Sequence, residues 1–267
     1  MMADAALPER GPAARPRLDE RARVALAIGA VAAAVLAAWE WLPPALGAPR
    51  YIWPTVSDMA AEMGRMAERG NLWRHFVSTA WTATLGFLLG SLFGAAIGYL
   101  IGMSRFLERV LSPYLLGLQI APKVAFAPLF IMWFGYTFWP KLLVTVLIVF
   151  FPILVNVAQA VRTADRDYLN LARAYSFDRV RIFRTILFPM SLPALFAGLK
   201  IGATLAVIGV TVGELVGGNV GLGFLIVYAE GQANTAMVFN AILLLTVIGV
   251  ALYWAVGAVE RRALHWT

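Results

Sequence analysis

The sequence has no cysteine and only two histidines, His75 and His265. The first absence removes disulfides, thiolate nucleophiles and cysteine-ligated metals together. The second leaves too little imidazole for a zinc site or a His-based triad. Charge is also scarce: 14% of the 267 residues are Asp, Glu, Lys or Arg, against about 25% in a soluble domain. Disorder is excluded by 16 Phe, 9 Trp and 8 Tyr, because disordered chains are charge-rich and poor in aromatics. What is plentiful is apolar, with 61% hydrophobic residues and a mean hydropathy of +0.75. Such a chain belongs in a bilayer.

A helix needs about 20 mainly apolar residues to cross the hydrocarbon core. Six stretches qualify: Val24 to Leu42, Phe76 to Met103, Val110 to Gly135, Pro140 to Val161, Ser191 to Gly217, and Ala236 to Val259. The first is read as a span rather than a cleaved signal peptide, because Trp39, Glu40 and Trp41 stand where a small-residue cleavage site would be. The expectation is an all-α, polytopic membrane protein of about six transmembrane helices. Its layout is a tail at 1–23, a first helix at 24–42, an outer interfacial segment at 43–75, a core at 76–259 and a second tail at 260–267.

The positive-inside rule orients this set. With a cytoplasmic N-terminus, Arg10, Arg15, Arg17, Arg21, Arg23, Arg105, Arg109, Arg162, Arg166, Arg173, Arg179, Arg181, Arg184, Arg261 and Arg262 fall inside. Arg50, Arg65, Arg69, Arg74 and Lys141 fall outside, and Lys123 and Lys200 fall within spans. Fifteen of the 22 basic residues on one side predict that both termini are cytoplasmic. The same distribution explains the pI near 10.0 without nucleic acid.

Between the first two spans, Thr55 to Arg69 is too polar to cross. Thr55 followed by Asp58 resembles a capping box, and Val56, Met59, Met63 and Met66 recur at helical spacing, with Asp58, Glu62, Arg65 and Glu68 elsewhere on the wheel. An amphipathic helix at the outer interface is expected, packed on the membrane surface or against a partner. In the second span Gly86, Gly90, Gly94, Gly98 and Gly102 recur every four residues, and Gly198 and Gly202 open a similar row in the fifth. Small residues on one face let another helix backbone approach closely where lipid gives no hydrophobic drive. Either tight packing within one bundle or a sliding or dimerising surface satisfies this pattern.

Charges inside a span are costly, so each is a functional candidate. Lys123 follows Pro122 and precedes Pro128, so the third span should break there. A lysine in such a break either lines a pathway and meets an anionic group, or caps freed backbone. Glu214 is the second pathway candidate; it and Glu40, near the outer ends of their spans, otherwise read as interfacial. Lys200 is expected to snorkel toward the cytoplasm.

The longest inner polar insertion is TADRDYLNLARAYSFDRVRIFRTILFPMSLP, Thr163 to Pro193. Asp165 and Asp167 mark a helix start, with Tyr168, Leu171, Ala172 and Tyr175 as an apolar stripe before a turn at Ser176 to Asp178. A second helix then begins, carrying Val180, Phe183 and Leu187. This pattern resembles the EAA loop of the membrane subunits of ATP-binding-cassette importers, which reads E-A-A, three residues, G, nine residues, I-x-L-P. The matching positions are Asn170, Leu171, Ala172, then Ser176, then Ile186, Leu187, Phe188 and Pro189. The spacing is kept, while Glu has become Asn, the first Ala Leu, Gly Ser, and the last Leu Phe. WTATLGFLLGSLFGAAIGYLIGMS (Trp81 to Ser104), APKVAFAPLFIMWFG (Ala121 to Gly135), GELVGGNVGLGFLI (Gly213 to Ile226) and VERRALHW (Val259 to Trp266) also resemble permeases of nitrate, sulfonate, taurine and thiamine-precursor importers.

That resemblance implies the type I importer permease architecture in a bacterial inner membrane. It implies a homodimer of permeases, two ATPase subunits docked on the loops at 162–190, and a periplasmic or lipid-anchored substrate-binding protein. Asn170, Leu171, Ala172, Tyr175, Ser176, Phe177 and Pro189 would couple to the ATPase. No Gly-Lys pair, and hence no phosphate loop, occurs in the chain, so ATP and magnesium are expected on the partner, with no catalytic site, metal or cofactor on this chain. An ion-gradient-driven transporter or channel is the rival reading, and an intramembrane enzyme a poorer one. For substrate, Lys123 leans toward an anion, and Pro122 to Leu129 with Gly213 to Ile226 lean toward pyrimidine-like or riboflavin-like precursors.

Overall fold

The computed structural model describes residues 18–68 and 72–265. Of the tail expected at 1–23, residues 1–17 lie outside the described residues, as do Arg69 and Trp266. The chain divides into two units, Met1–Ser57 and Asp58–Thr267. In the first, helix α1 (Leu18–Ala45) is apolar and long enough to span. Beyond it the chain is tied back by Trp39 Nε1, which donates to the Pro54 carbonyl at 3.0 Å. The Glu40 carboxylate accepts from the Ser57 N–H at 2.9 Å and from its hydroxyl at 2.7 Å. Glu40 therefore does more than sit at an interface: it satisfies a backbone donor.

The second unit is all helical among the described residues. Helix α2 (Val56–Glu68) is followed by α3 (Leu72–Met103), α4 (Arg105–Ile120) and α5 (Phe126–Phe134). Next come α6 (Phe138–Arg162), α7 (Arg166–Ala174) and α8 (Arg179–Ile182). The chain closes with α9 (Phe188–Gly217), α10 (Leu222–Gly231) and α11 (Thr235–Ala263). Among the described residues five helices, α1 included, are long and apolar enough to cross, and α4 with the segment Lys123–Phe134, bent by 76°, is either a broken sixth span or a re-entrant loop. The bend lies at Ala121 and Pro122, where a span interrupted by proline was expected, because Pro122 cannot donate to the preceding turn.

The glycine rows determine the arrangement. A methyl group added at Gly90, Gly94 or Gly98 would lie 2.9, 2.6 and 2.8 Å from the carbonyl oxygens of Val146, Phe150 and Leu154, one turn apart on α6. Gly86 meets Thr145 and Gly102 meets Val161 in the same progression. The numbers rise together, so α3 and α6 run parallel. On the other flank Gly198 faces Asn156, Gly202 faces Ile153 and Val149, Gly209 faces Thr145, and Gly213 faces Lys141. These numbers fall as α9 advances, so α9 is antiparallel to α6. Both rows thus pack within one chain, against a common central helix, and not at a dimerising surface. Val149, Ile153 and Val157 of α6, Phe87 of α3, and Ala203 and Ala206 of α9 form the core between them.

Helix α2 departs from its expected role. It buries Glu62 and Met66 against its own chain: Asn240 Nδ2 of α11 donates to the Met59 carbonyl at 2.8 Å, and Asn234 Nδ2 donates to Glu62 at 3.0 Å. Glu62 was assigned to a polar face, and Arg65, 2.5 Å away, shares its charge. Helix α10 was not anticipated as a separate element. Its ten residues are too short to span.

Candidate functional site

The parallel and antiparallel packing gives the bundle two ends. One holds the segment between α6 and α9, read from sequence as the coupling loop. At its start the Asp167 N–H donates to Asp165 Oδ1 at 2.9 Å, satisfying a helix N-terminal donor. On α7 the side chains of Tyr168, Leu171 and Tyr175 are 56%, 56% and 72% exposed, while Ala172 is 4% exposed. The stripe is therefore split. Ala172 turns inward and the three larger side chains face out, as an unpaired apolar face on a short helix. Asn170 lies on the exposed side of the same helix.

The helix ends in a Schellman turn. The Phe177 N–H donates to the Ala172 carbonyl at 3.0 Å, and Ser176 adopts φ +56°. That is the left-handed conformation the glycine of the motif would take without cost. The Arg181 guanidinium lies 4.0 Å from the centroid of the Phe177 ring, and Asp178 Oδ1 caps α8 by accepting from the Arg181 N–H at 2.9 Å. A π-helical turn, Phe183–Leu187, then leads into α9, with Pro189 in its first turn. Tyr99 of α3 anchors this junction. Its hydroxyl lies 2.8 Å from that of Ser191, and its ring meets Phe183 edge-on at 5.2 Å.

The opposite end holds a buried polar knot. The Glu214 side chain is 0% exposed. Both its oxygens lie within reach of the Thr79 hydroxyl, at 3.0 and 2.9 Å, and one accepts from the Gly223 N–H at 2.9 Å. Lys141 Nζ stands 3.6 Å from the carboxylate and donates to Ser78 Oγ at 3.0 Å and the Val220 carbonyl at 3.3 Å. Thr79 Oγ1 accepts from the Leu222 N–H at 2.8 Å, and His75 Nδ1 lies 3.0 Å from the Gly221 N–H and 3.1 Å from its carbonyl, accepting from the first or donating to the second according to tautomer. Glu214 thus supplies the negative charge that the N-terminus of α10 favours. Gly221 has φ +138°, and a methyl there would collide with the carboxylate. Gly221 and Gly223 of GELVGGNVGLGFLI follow from this close approach.

The assignments read from the sequence change in three places. Glu214 is sealed inside the bundle instead of interfacial or open to a pathway, because α3, α6, α9 and α10 converge on it. Lys141, counted as an outer cation, is its ion-pair partner. Lys123 caps the break: its ammonium donates to the Gln119 carbonyl at 2.6 Å and lies 5.0 Å from the Phe151 ring centroid, taking the backbone-capping alternative. Lys200 reaches Glu260 near the C-terminal end of α11, the direction in which it was expected to snorkel. Thr79 and His75 were not found from sequence. The usable signal was an acid and a base, Glu214 and Lys141, each near the same end of an apolar helix, since two such charges inside a bundle must pair.

Comparison with known proteins agrees with this geometry. The profile for "Binding-protein-dependent transport system inner membrane component" matches residues 86–265. The riboflavin transport system permease of Chloroflexus aurantiacus is 36% identical over 220 residues, covering 82% of each chain. The formylaminopyrimidine transport permease of Halalkalibacterium halodurans is 32% identical, covering 85% of this chain and 90% of that one. A putative aliphatic sulfonates permease of Bacillus subtilis is 31% identical over 88% of this chain and 85% of its own. Among solved structures, the MetNI methionine ABC transporter in an inward-facing form superposes with a TM-score of 0.65 at 18% identity, covering 74% of this chain and 98% of that one. The chain is a multi-pass membrane protein and belongs to the binding-protein-dependent transport system inner membrane component family, as a permease subunit of an ABC importer.

Proposed function

We propose that two copies of this chain form the pathway of an importer in a bacterial inner membrane, with both termini cytoplasmic. Two ATP-binding subunits seat on α7 and hydrolyse ATP with magnesium, and a binding protein delivers substrate to the knot-bearing end. The observation that carries this reading is the outward apolar face of Tyr168, Leu171 and Tyr175 on a helix whose other side is fixed to the bundle through Ala172. A partner groove would bury those three side chains. Asn170, Ser176, Phe177 and Pro189 set the position of this face and hold no nucleotide.

The substrate class best supported is a solute containing a pyrimidine ring. Relatives named for riboflavin and formylaminopyrimidine are 36% and 32% identical, and the two lysines that an anion would seek, Lys123 and Lys141, are engaged within the chain. A sulfonate importer is the second reading, favoured by the 31% identical relative.

The docking assignment is tested with the cognate ATPase and Leu171→Asp. A buried charge at a hot spot costs 2 kcal/mol or more, roughly 30-fold in affinity, so the ATPase should no longer co-purify. Retention of the ATPase, with hydrolysis still stimulated by the loaded binding protein, would remove α7 from the interface.

A further inference from the structure

Next to the knot lies a half-open cavity of about 260 Å³, bordered by Met66, Leu72, His75, Phe224, Tyr228 and Met237. Three of these carry rings in a ladder. His75 and Phe224 stack with centroids 5.8 Å apart and planes 7° from parallel, and Phe224 and Tyr228 stack at 6.1 Å and 28°. The Tyr228 end of the ladder is 48% exposed, while Met66 and Met237 are buried at 4% and 5%. Flat rings bounded by polarizable thioethers favour a planar, π-rich occupant over an aliphatic or fully hydrated one.

A polar handle is fixed as well. Gly221 engages His75 Nδ1 whichever tautomer the ring adopts, with its N–H 3.0 Å and its carbonyl oxygen 3.1 Å away, so Nε2 is the ring nitrogen left over. Among the described residues the hydrogen bonds of this ring are made at Nδ1, and His75 borders the cavity. Nε2 then serves as a donor or an acceptor according to the tautomer, and a pyrimidine, which carries both ring-nitrogen acceptors and exocyclic donors, can meet either. The volume lies just under the usual span of small-molecule sites, about 300–1,000 Å³. That size suits one ring or a fused pair, or the pyrimidine edge of a larger ring system whose remainder stays in the open mouth.

From this we propose that the cavity is a permease-borne site for a pyrimidine-type ring, held by stacking at Tyr228 and Phe224 and by a hydrogen bond with His75 Nε2. It receives the solute at the end remote from the coupling loop. The site rests on the substrate class given above but stands apart from it, since an importer of pyrimidine-ring solutes can work without any such station.

The test uses the full-length permease in nanodiscs, titrated with riboflavin and with 4-amino-2-methylpyrimidine, and with taurine as the non-aromatic control. Binding is followed by flavin fluorescence quenching and by calorimetry. The wild type should bind one or both rings and not taurine. Tyr228→Leu should weaken binding roughly fivefold or more, the value of one aromatic stack, while Tyr228→Phe keeps it. Unchanged binding in a Tyr228→Leu protein that elutes like the wild type would overturn the site. If that variant does not fold, ring binding by Tyr228→Phe that matches the wild type supports the stack, and its loss refutes it. Uptake by the assembled importer separates the two claims. Transport of either ring with no binding to the permease refutes the site alone, and transport of taurine with neither ring refutes the substrate class as well.

Discussion

Lys141 and Glu214 face each other at 3.6 Å, the ammonium from the first turn of α6 and the carboxylate from the last turn of α9. The carboxylate is fully buried and the lysine side chain only 10% exposed, and the remaining side-chain and backbone partners of the two charged groups belong to α3, α10 or the segment between α9 and α10. Such a pair adds little net stability when complete but is expensive to break.

Glu214→Ala should therefore destabilise the permease by about 3–5 kcal/mol, because Lys141 stays buried without its counter-charge and the Gly223 N–H and Thr79 hydroxyl lose their acceptor. Thermal unfolding in detergent measures this. Adding Lys141→Met should recover part of the loss. A double variant that is worse than the sum of the singles would show that the two residues do not act as a pair.

The glycine seam predicts a sharp positional contrast. Gly94→Leu places carbon within 2.6 Å of the Phe150 carbonyl and should prevent recovery of folded protein, since backbone cannot yield as a side chain can. Gly64→Ala in α2 meets nothing within 4 Å and should be neutral or stabilising by about 0.5–1 kcal/mol. Yield and unfolding temperature in parallel expression check both.

At the end of α7, Ser176→Gly should stabilise the loop by about 0.5–1 kcal/mol, because only Ser176 and Ala233 among the described non-glycine residues have positive φ. Ser176→Val should do the reverse. Slower hydrogen exchange at the Phe177 amide in the glycine variant is the direct readout, and no change there would mean the turn is not strained.

Lys123→Met should leave substrate affinity intact while loosening the α4–α5 bend, since its ammonium serves the Gln119 carbonyl and the Phe151 ring. Transport assays report KM, and proteolysis near Ala121 reports the bend. A raised KM with an intact bend would place Lys123 on the pathway after all.

Much of the architecture was legible in the sequence because lipid imposes simple rules. Apolar length located the spans, Pro122 located the break, and the four-residue glycine period identified packed faces. The spacing from Asn170 to Pro189 identified the loop even with its consensus letters replaced, because a Schellman turn needs only a residue willing to take positive φ. The knot was not legible. Lys141 and Thr79 look like a border cation and an ordinary span threonine until α3 and α9 are laid on either side of α6. Burial of Ala172 likewise depends on how α7 settles on the bundle, which helical spacing alone does not decide.

The two glycine seams also limit which parts can move. Because Gly90, Gly94 and Gly98 of α3 lie against carbonyls of α6, and Gly209 and Gly213 of α9 against the α-carbons of Thr145 and Lys141, a partial slide along either seam drives one chain segment into the main chain of α6. The three helices behave as a single welded plate. Alternation between inward-open and outward-open forms must then fall to the joints that lack glycine: the 76° elbow between α4 and α5 and the π-helical turn that feeds α9.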